Sequence, residues 1–264
     1  MQLYTRTQGT GPAVVALHGL FGSNENLGVI ARALSDACTI YAMDLRNHGR
    51  SPSGDAMDYP TLAADVRDTM DAYALGSAVL LGHSLGGKTA MQLALSYPKR
   101  VRQLIVIDIA PIDHGRRHDR ELEAMRSLDL CALSSRAEAD RALAPSIPEA
   151  EIRQFLLKNF VRSRRGGFGW RIPLDTIAMG YSDIAAAPTG AQPYTGATLF
   201  IRGGVSDYMP PEADTDIRTW FPNARIETIA DAAHWVHVDQ EEQILQLIRA
   251  FIKPPTTSAA DTQP

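Results

Sequence analysis

What most constrains this chain's fold is a series of short apolar runs that stop abruptly. Ala13–Leu17 (AVVAL) ends at His18-Gly19, Thr39–Met43 (TIYAM) at Asp44, Ala78–Leu81 (AVLL) at Gly82 and Leu104–Ile107 (LIVI) at Asp108. Thr198–Ile201 (TLFI) and Arg225–Ile229 (RIETI) are two more. Runs of this length are strands, and those without polar alternation must be buried on both faces. Helical patterns separate them over Asn26–Leu34, Leu62–Tyr73, Gly86–Leu95 and Glu242–Ile252. Strand and helix in alternation predict an α/β fold, a mostly parallel, doubly wound sheet covered on both sides.

Residues 111–193 break the rhythm. They contain no run that reads as a strand, but amphipathic segments at Asp119–Leu128, Ser135–Ala144 and Glu149–Phe160. This stretch is expected to be a helical cap inserted between strands of one core domain, formed by 1–110 and 194–253. The last residues, 254–264, are polar and aperiodic and are expected to be a disordered tail. With 45% of residues hydrophobic there is enough apolar surface for a core. A net charge of −4 argues against a nucleic-acid partner. Two cysteines, Cys38 and Cys131, are too few for a disulfide framework or a thiolate metal cluster. No apolar stretch approaches the ~18 residues needed for membrane insertion, and MQLYTRTQGTGP lacks the pattern of a signal peptide. A cytoplasmic enzyme acting on a small molecule, with no metal or organic cofactor, is the expectation.

The chemistry concentrates at Gly82-His83-Ser84-Leu85-Gly86-Gly87. This G-x-S-x-G follows an apolar strand and opens a helix, the context in which a serine hydroxyl stands clear of a sheet as a nucleophile. His18-Gly19-Leu20-Phe21-Gly22 ends the first buried strand. A backbone N–H there, Leu20 first and Phe21 second, can pair with the N–H of Leu85 as an oxyanion hole. A serine nucleophile needs a base. His234, after the last strand, is favoured over His237. His83 is expected to point away from the hydroxyl, and His18 and His48 to be hydrogen-bonded scaffolding. His114 and His118 are read as solvated charge in preference to a metal pair. Asp44-Leu45-Arg46 is read as a buried brace under the active-site loops, Asp44 to backbone or Asp44 to Arg46, and not as catalytic. The base in turn needs a carboxylate. Two places offer one: Asp108 at a buried strand end, and Asp207 in the loop after TLFI, where Ser206 also falls.

Six stretches carry a resemblance: HGLFGSNENLG (18–28), MDLRNHGRSP (43–52), GHSLGGKTAM (82–91), VIDIAPIDHGRRHD (106–119), FIRGGVSDY (200–208) and HWVH (234–237). The sequence resembles the α/β-hydrolases and, more narrowly, the small bacterial esterase/thioesterase group typified by YbfF. Mitochondrial abhydrolase-domain proteins look similar but more distant. The resemblance implies a serine hydrolase of acyl esters or thioesters, with Asp108 as the acid and Ser206 assisting it. Pairing with His234 would also offset the cost of a buried carboxylate at Asp108. Phe21, Trp235, Tyr208 and Phe155 are the candidate substrate-binding side chains, Phe155 on an inner face with Leu156, Leu157 and Phe160. The basic runs at Arg116-Arg117 and Arg162–Arg165 are read as a solvated face, with a landing site for an acidic group such as the phosphates of a CoA thioester as the alternative. A cofactor-free haloperoxidase or C–C bond hydrolase with the same triad is the alternative.

Overall fold

The computed structural model describes residues 1–163 and 166–252. The proposed tail at 254–264, and Arg164 and Arg165, lie outside the described residues. The first half runs β1 (Thr5–Gln8), β2 (Ala13–Leu17), α1 (Gly28–Leu34), β3 (Thr39–Met43), α2 (Tyr59–Ala72), β4 (Ala78–His83), α3 (Leu85–Ser96) and β5 (Val101–Ile107). Between β5 and β8 come α4 (Asp119–Arg126), α5 (Arg136–Leu143), α6 (Ala150–Leu156), β6 (Phe160–Arg162), β7 (Phe168–Trp170), α7 (Leu174–Met179) and α8 (Tyr181–Ala185). The chain closes with β8 (Thr198–Gly203), α9 (Asp214–Trp220), β9 (Ala224–Ile229), α10 (Val236–Asp239) and α11 (Glu241–Ile252).

Seven strands form one sheet in the order β1-β3-β2-β4-β5-β8-β9. All neighbouring pairs are parallel except the edge pair β1–β3. Because strand side chains alternate between faces, each apolar run feeds two cores. Val15, Leu17, Leu80, Leu104, Val106 and Phe200 face one side, with α2 and α3. Val14, Ala16, Val79, Leu81, Ile105 and Ile107 face the other, with α1 and α11. That is why the runs AVVAL, AVLL and LIVI within these strands carry no polar residue. Among the described residues, no helix is long and apolar enough to cross a membrane.

Two expectations need correction. The 111–193 stretch does contain strands: β6 and β7 pair antiparallel, Phe160 opposite Trp170. Three-residue strands carry almost no periodic signal, and an aromatic cluster holds them, with Phe160 stacked on Phe168 at 4.6 Å. The edge strand β1 (TRTQ) also escaped notice, because an edge exposed on both sides need not be apolar.

The order β3-β2-β4 means that the chain winds outward from β2 in one direction and then returns to build the other half. The crevice at such a reversal lies beyond the carboxyl ends of the strands. Here it lies beyond Leu17 of β2 and Gly82 of β4, which pair in register. The loop 18–22 and Ser84 both emerge there.

Candidate active site

Ser84 sits between β4 and α3 with φ 53° and ψ −118°, a region that costs a non-glycine residue about 1–3 kcal/mol. The surroundings enforce it. The Ser84 N–H donates to Ile107 O at 3.2 Å, and its carbonyl accepts from the Lys88 N–H at 3.0 Å. The flanking glycines are steric necessities: a Cβ on Gly82 would lie 2.2 Å from Gly86 O, and one on Gly86 would lie 2.3 Å from Leu17 O. Among the described residues Ser84 Oγ forms no hydrogen bond, to His234 or to any other group. In unliganded sites such contacts often tighten only with substrate bound.

The loop 18–22 is held by its histidines. His18 Nε2 accepts from the Leu45 N–H at 3.0 Å, so the ring proton is on Nδ1, 2.8 Å from Gly19 O. Gly19 O also accepts from the Gly22 N–H at 3.0 Å. These bonds orient the peptide whose other end is the Leu20 N–H, which has no partner among the described residues. Burial keeps His18 below the usual histidine range, hence neutral. The N–H of Leu85, in the first turn of α3, is likewise unpartnered among the described residues, as first-turn groups are. Phe21 is different: its N–H donates to His48 Nε2 at 3.1 Å. That bond consumes the second candidate oxyanion donor and leaves Leu20.

His234 follows β9. Its Nδ1 is 2.8 Å from Asp108 Oδ2. Its ring stacks on Tyr208, centroids 3.7 Å apart, and faces His83 at 4.7 Å. His83 does turn away from the serine hydroxyl, donating from Nε2 to His234 O at 2.9 Å. The rival His237 packs on His83 at 4.9 Å, and its Nδ1 has no hydrogen-bond partner among the described residues. Asp108 is fully buried, at φ 48°. Its Oδ1 accepts from the Gly203 N–H at 2.8 Å, and its Oδ2 also accepts the Ser206 hydroxyl. The other candidate acid, Asp207, is exposed and paired with Arg117 at 2.6 Å. Burial pushes Asp108 up to about 6, against the Ser206 and Gly203 hydrogen bonds. Burial, then the neighbouring His118, His237 and His114, holds His234 below the usual histidine value. The imidazole is therefore neutral at pH 7 and able to accept a proton.

Leu20, Ser84, Leu85, Lys88, Tyr181 and Tyr208 are among the residues lining a pocket over the serine. Of the four candidate substrate-binding side chains, only Tyr208 is there. Phe21 is buried with its ring edge-on to His118, and Phe155 and Trp235 pack on each other at 5.2 Å. His114 and His118 are not solvated charges: both line the pocket, and His118 Nδ1 meets Tyr181 Oη at 2.6 Å. Of the two forms of brace expected at Asp44, the structure has the Asp44-to-backbone one and not the Asp44–Arg46 pair. Asp44 accepts from Asn24 and the Arg50 N–H, whereas Arg46 pairs with Asp65 at 2.5 Å. Lys88 was missed. Its Nζ donates to the carbonyls of Ile112, Ala185 and Ala186, each at 2.7 Å, joining α3 to both ends of the stretch between β5 and β8. A lysine in an otherwise apolar helix, KTAMQLAL, was the available signal.

The model of the family described as alpha/beta hydrolase fold matches residues 12–130. Over 251 residues the chain is 39% identical to the sn-1-specific diacylglycerol lipase ABHD11 of Mus musculus, covering 92% of this chain and 81% of that protein. The chain is an α/β-hydrolase. This hydrolase is also 37% identical to Esterase YbfF of Escherichia coli (strain K12), over 94% of this chain and 95% of that one. The abhydrolase-domain relative is thus no more distant by identity than the bacterial esterase. A solved structure titled "Marine microorganism esterase" superposes with a TM-score of 0.93 at 36% identity, covering 95% of the hydrolase and 99% of that chain.

Proposed function

We propose that this α/β-hydrolase is a serine esterase, cleaving carboxylic esters or acyl thioesters through an acyl-enzyme. Ser84 Oγ gives its proton to His234 Nε2 and attacks the acyl carbonyl carbon. The oxyanion that forms accepts from the N–H groups of Leu20 and Leu85, each worth about 3 kcal/mol in the transition state. Collapse of the intermediate breaks the bond to the leaving oxygen or sulfur, and His234 returns the proton to it. Water then repeats the cycle, releasing the carboxylic acid and free Ser84. Asp108 holds the His234 tautomer with the proton on Nδ1, and Ser206 satisfies a further lone pair of that carboxylate. Residues 111–193 serve as the cap over this site.

The observation that carries the reading is the 2.8 Å contact of His234 Nδ1 with a fully buried carboxylate, in a chain whose Ser84 is held at φ 53° in the turn between β4 and α3. The ester and lipase names of the relatives favour a carboxylic ester as substrate. The test is a fluorophosphonate probe with p-nitrophenyl esters and CoA thioesters of graded chain length. Wild type should be labelled and active, and Ser84→Ala neither. Absence of labelling in folded wild type refutes the serine nucleophile. Peroxide-dependent halogenation without ester cleavage would favour the haloperoxidase alternative.

A further inference from the structure

The stretch between β5 and β8 reaches the loop 18–22 through one buried side chain. Asn159 closes the turn Leu157–Asn159 after α6 and is 4% exposed. Its Nδ2 donates to Phe21 O at 2.7 Å, across 138 residues of sequence. Its own carbonyl accepts from the Arg171 N–H at 2.8 Å, which ties it to the far side of the β6–β7 hairpin. Phe21 needs holding, since it is a non-glycine residue at φ 61°.

The carbonyl that Asn159 engages belongs to the same peptide as the Gly22 N–H. That N–H donates to Gly19 O at 3.0 Å. Gly19 O in turn belongs to the same peptide as the Leu20 N–H. Asn159 therefore heads a continuous chain: its amide to the Phe21–Gly22 peptide, that peptide to the Gly19–Leu20 peptide, and from there the Leu20 N–H into the pocket. Amides linked head to tail orient one another, and each polarises the next donor.

We infer that Asn159 is a positioning residue for the oxyanion hole, making the aim and strength of the Leu20 N–H depend on how the β5–β8 insertion is seated. This rests on the proposed role of Leu20. The insertion is then part of the catalytic apparatus as well as a wall of the pocket.

The test compares wild type with Asn159→Leu, which removes the donor, and the near-isosteric Asn159→Asp, which faces Phe21 O with an oxygen. Each is titrated with fluorophosphonate so that rates refer to competent sites. A trifluoromethyl ketone reports the hole directly, because its adduct with Ser84 carries an oxyanion. Both variants should lose ~10-fold in kcat per titrated site, with KM within about twofold, and the ketone Ki should rise by the same factor. Arg126→Ala, on the exposed face of α4 and paired with Asp175, should change neither. A purely structural Asn159 would lower Tm and the titratable fraction but leave kcat per site and ketone Ki at wild-type values, and that result overturns the inference. Wild type that neither titrates nor binds the ketone would instead overturn the serine-hydrolase reading beneath it.

Discussion

Asp108→Asn separates the two candidate acids most sharply. The carboxylate is fully buried, with Oδ1 on the Gly203 N–H and Oδ2 shared by His234 and Ser206. An asparagine keeps this shape. Its amide oxygen must take the Gly203 N–H, so its NH2 group points at His234 Nδ1. That forces the imidazole proton onto Nε2, toward Ser84, where a base must be empty. The expected loss in kcat is ~10⁴-fold, or about 5 kcal/mol of barrier. Asp207→Asn breaks only an exposed ion pair with Arg117, worth under about 1 kcal/mol, so its kcat should stay within about fivefold of wild type. The assay is steady-state hydrolysis of a p-nitrophenyl ester, normalised to folded protein. The reverse ranking would refute the assignment of the acid. Stability should move independently of activity. Burial raises Asp108 from 3.8 to about 6, so folding disfavours the ionised form, and the resulting loss of stability grows as pH rises through that window. The amide carries no such charge. The Tm of the variant minus that of wild type should therefore climb between pH 4 and 6, and a flat difference would contradict the burial argument.

Three further outcomes follow from the geometry. The acid limb of kcat/KM should have its midpoint below 6.5, because activity needs neutral His234, burial lowers its pKa, and activity falls as pH drops through that value; a midpoint above 7 would show the Asp108 charge outweighing burial. Gly86→Ala would put a Cβ 2.3 Å from the backbone oxygen of Leu17, which cannot rotate away. It should cost about 3 kcal/mol or more in urea unfolding, and a near-neutral result would mean the elbow can widen. Lys88→Met strips the donor from three carbonyls and should cost about 1–3 kcal/mol for each one left dry, read as a drop in the urea midpoint; an unchanged midpoint would mean that water replaces the ammonium.

Much of the fold was legible because its rules are local. A run such as AVLL can only be a two-faced buried strand, and the glycines at 82, 86 and 87 mark a turn with no room for a Cβ. The elements that escaped are those with weak local rules: β1, whose edge may be polar, and the three-residue strands β6 and β7, which exist because Phe160, Phe168 and Trp170 cluster. Side-chain partners were less legible than side-chain types. Asp44 and Arg46 were both recognised as buried, and Asp44 holds backbone N–H groups as one reading had it, but Arg46 pairs with Asp65 and not with Asp44. Phe155 and Trp235 were recognised as apolar contacts but pack on each other.

By itself, then, the sequence determined the parallel sheet, the strained serine turn and the order of serine before histidine, since each depends on steric and periodic demands within a few residues. Only the tertiary structure decided which carboxylate meets His234 and which N–H groups remain free. Asp108 and Asp207 lie at the ends of adjacent strands, β5 and β8, and are equally plausible in one dimension. Burial distinguishes them: one carboxylate is walled in with His234 and Ser206, and the other is exposed against Arg117. Likewise Phe21 and Leu20 are neighbours with the same backbone chemistry, but His48, 27 residues away, takes the N–H of Phe21 and leaves that of Leu20 open to the pocket.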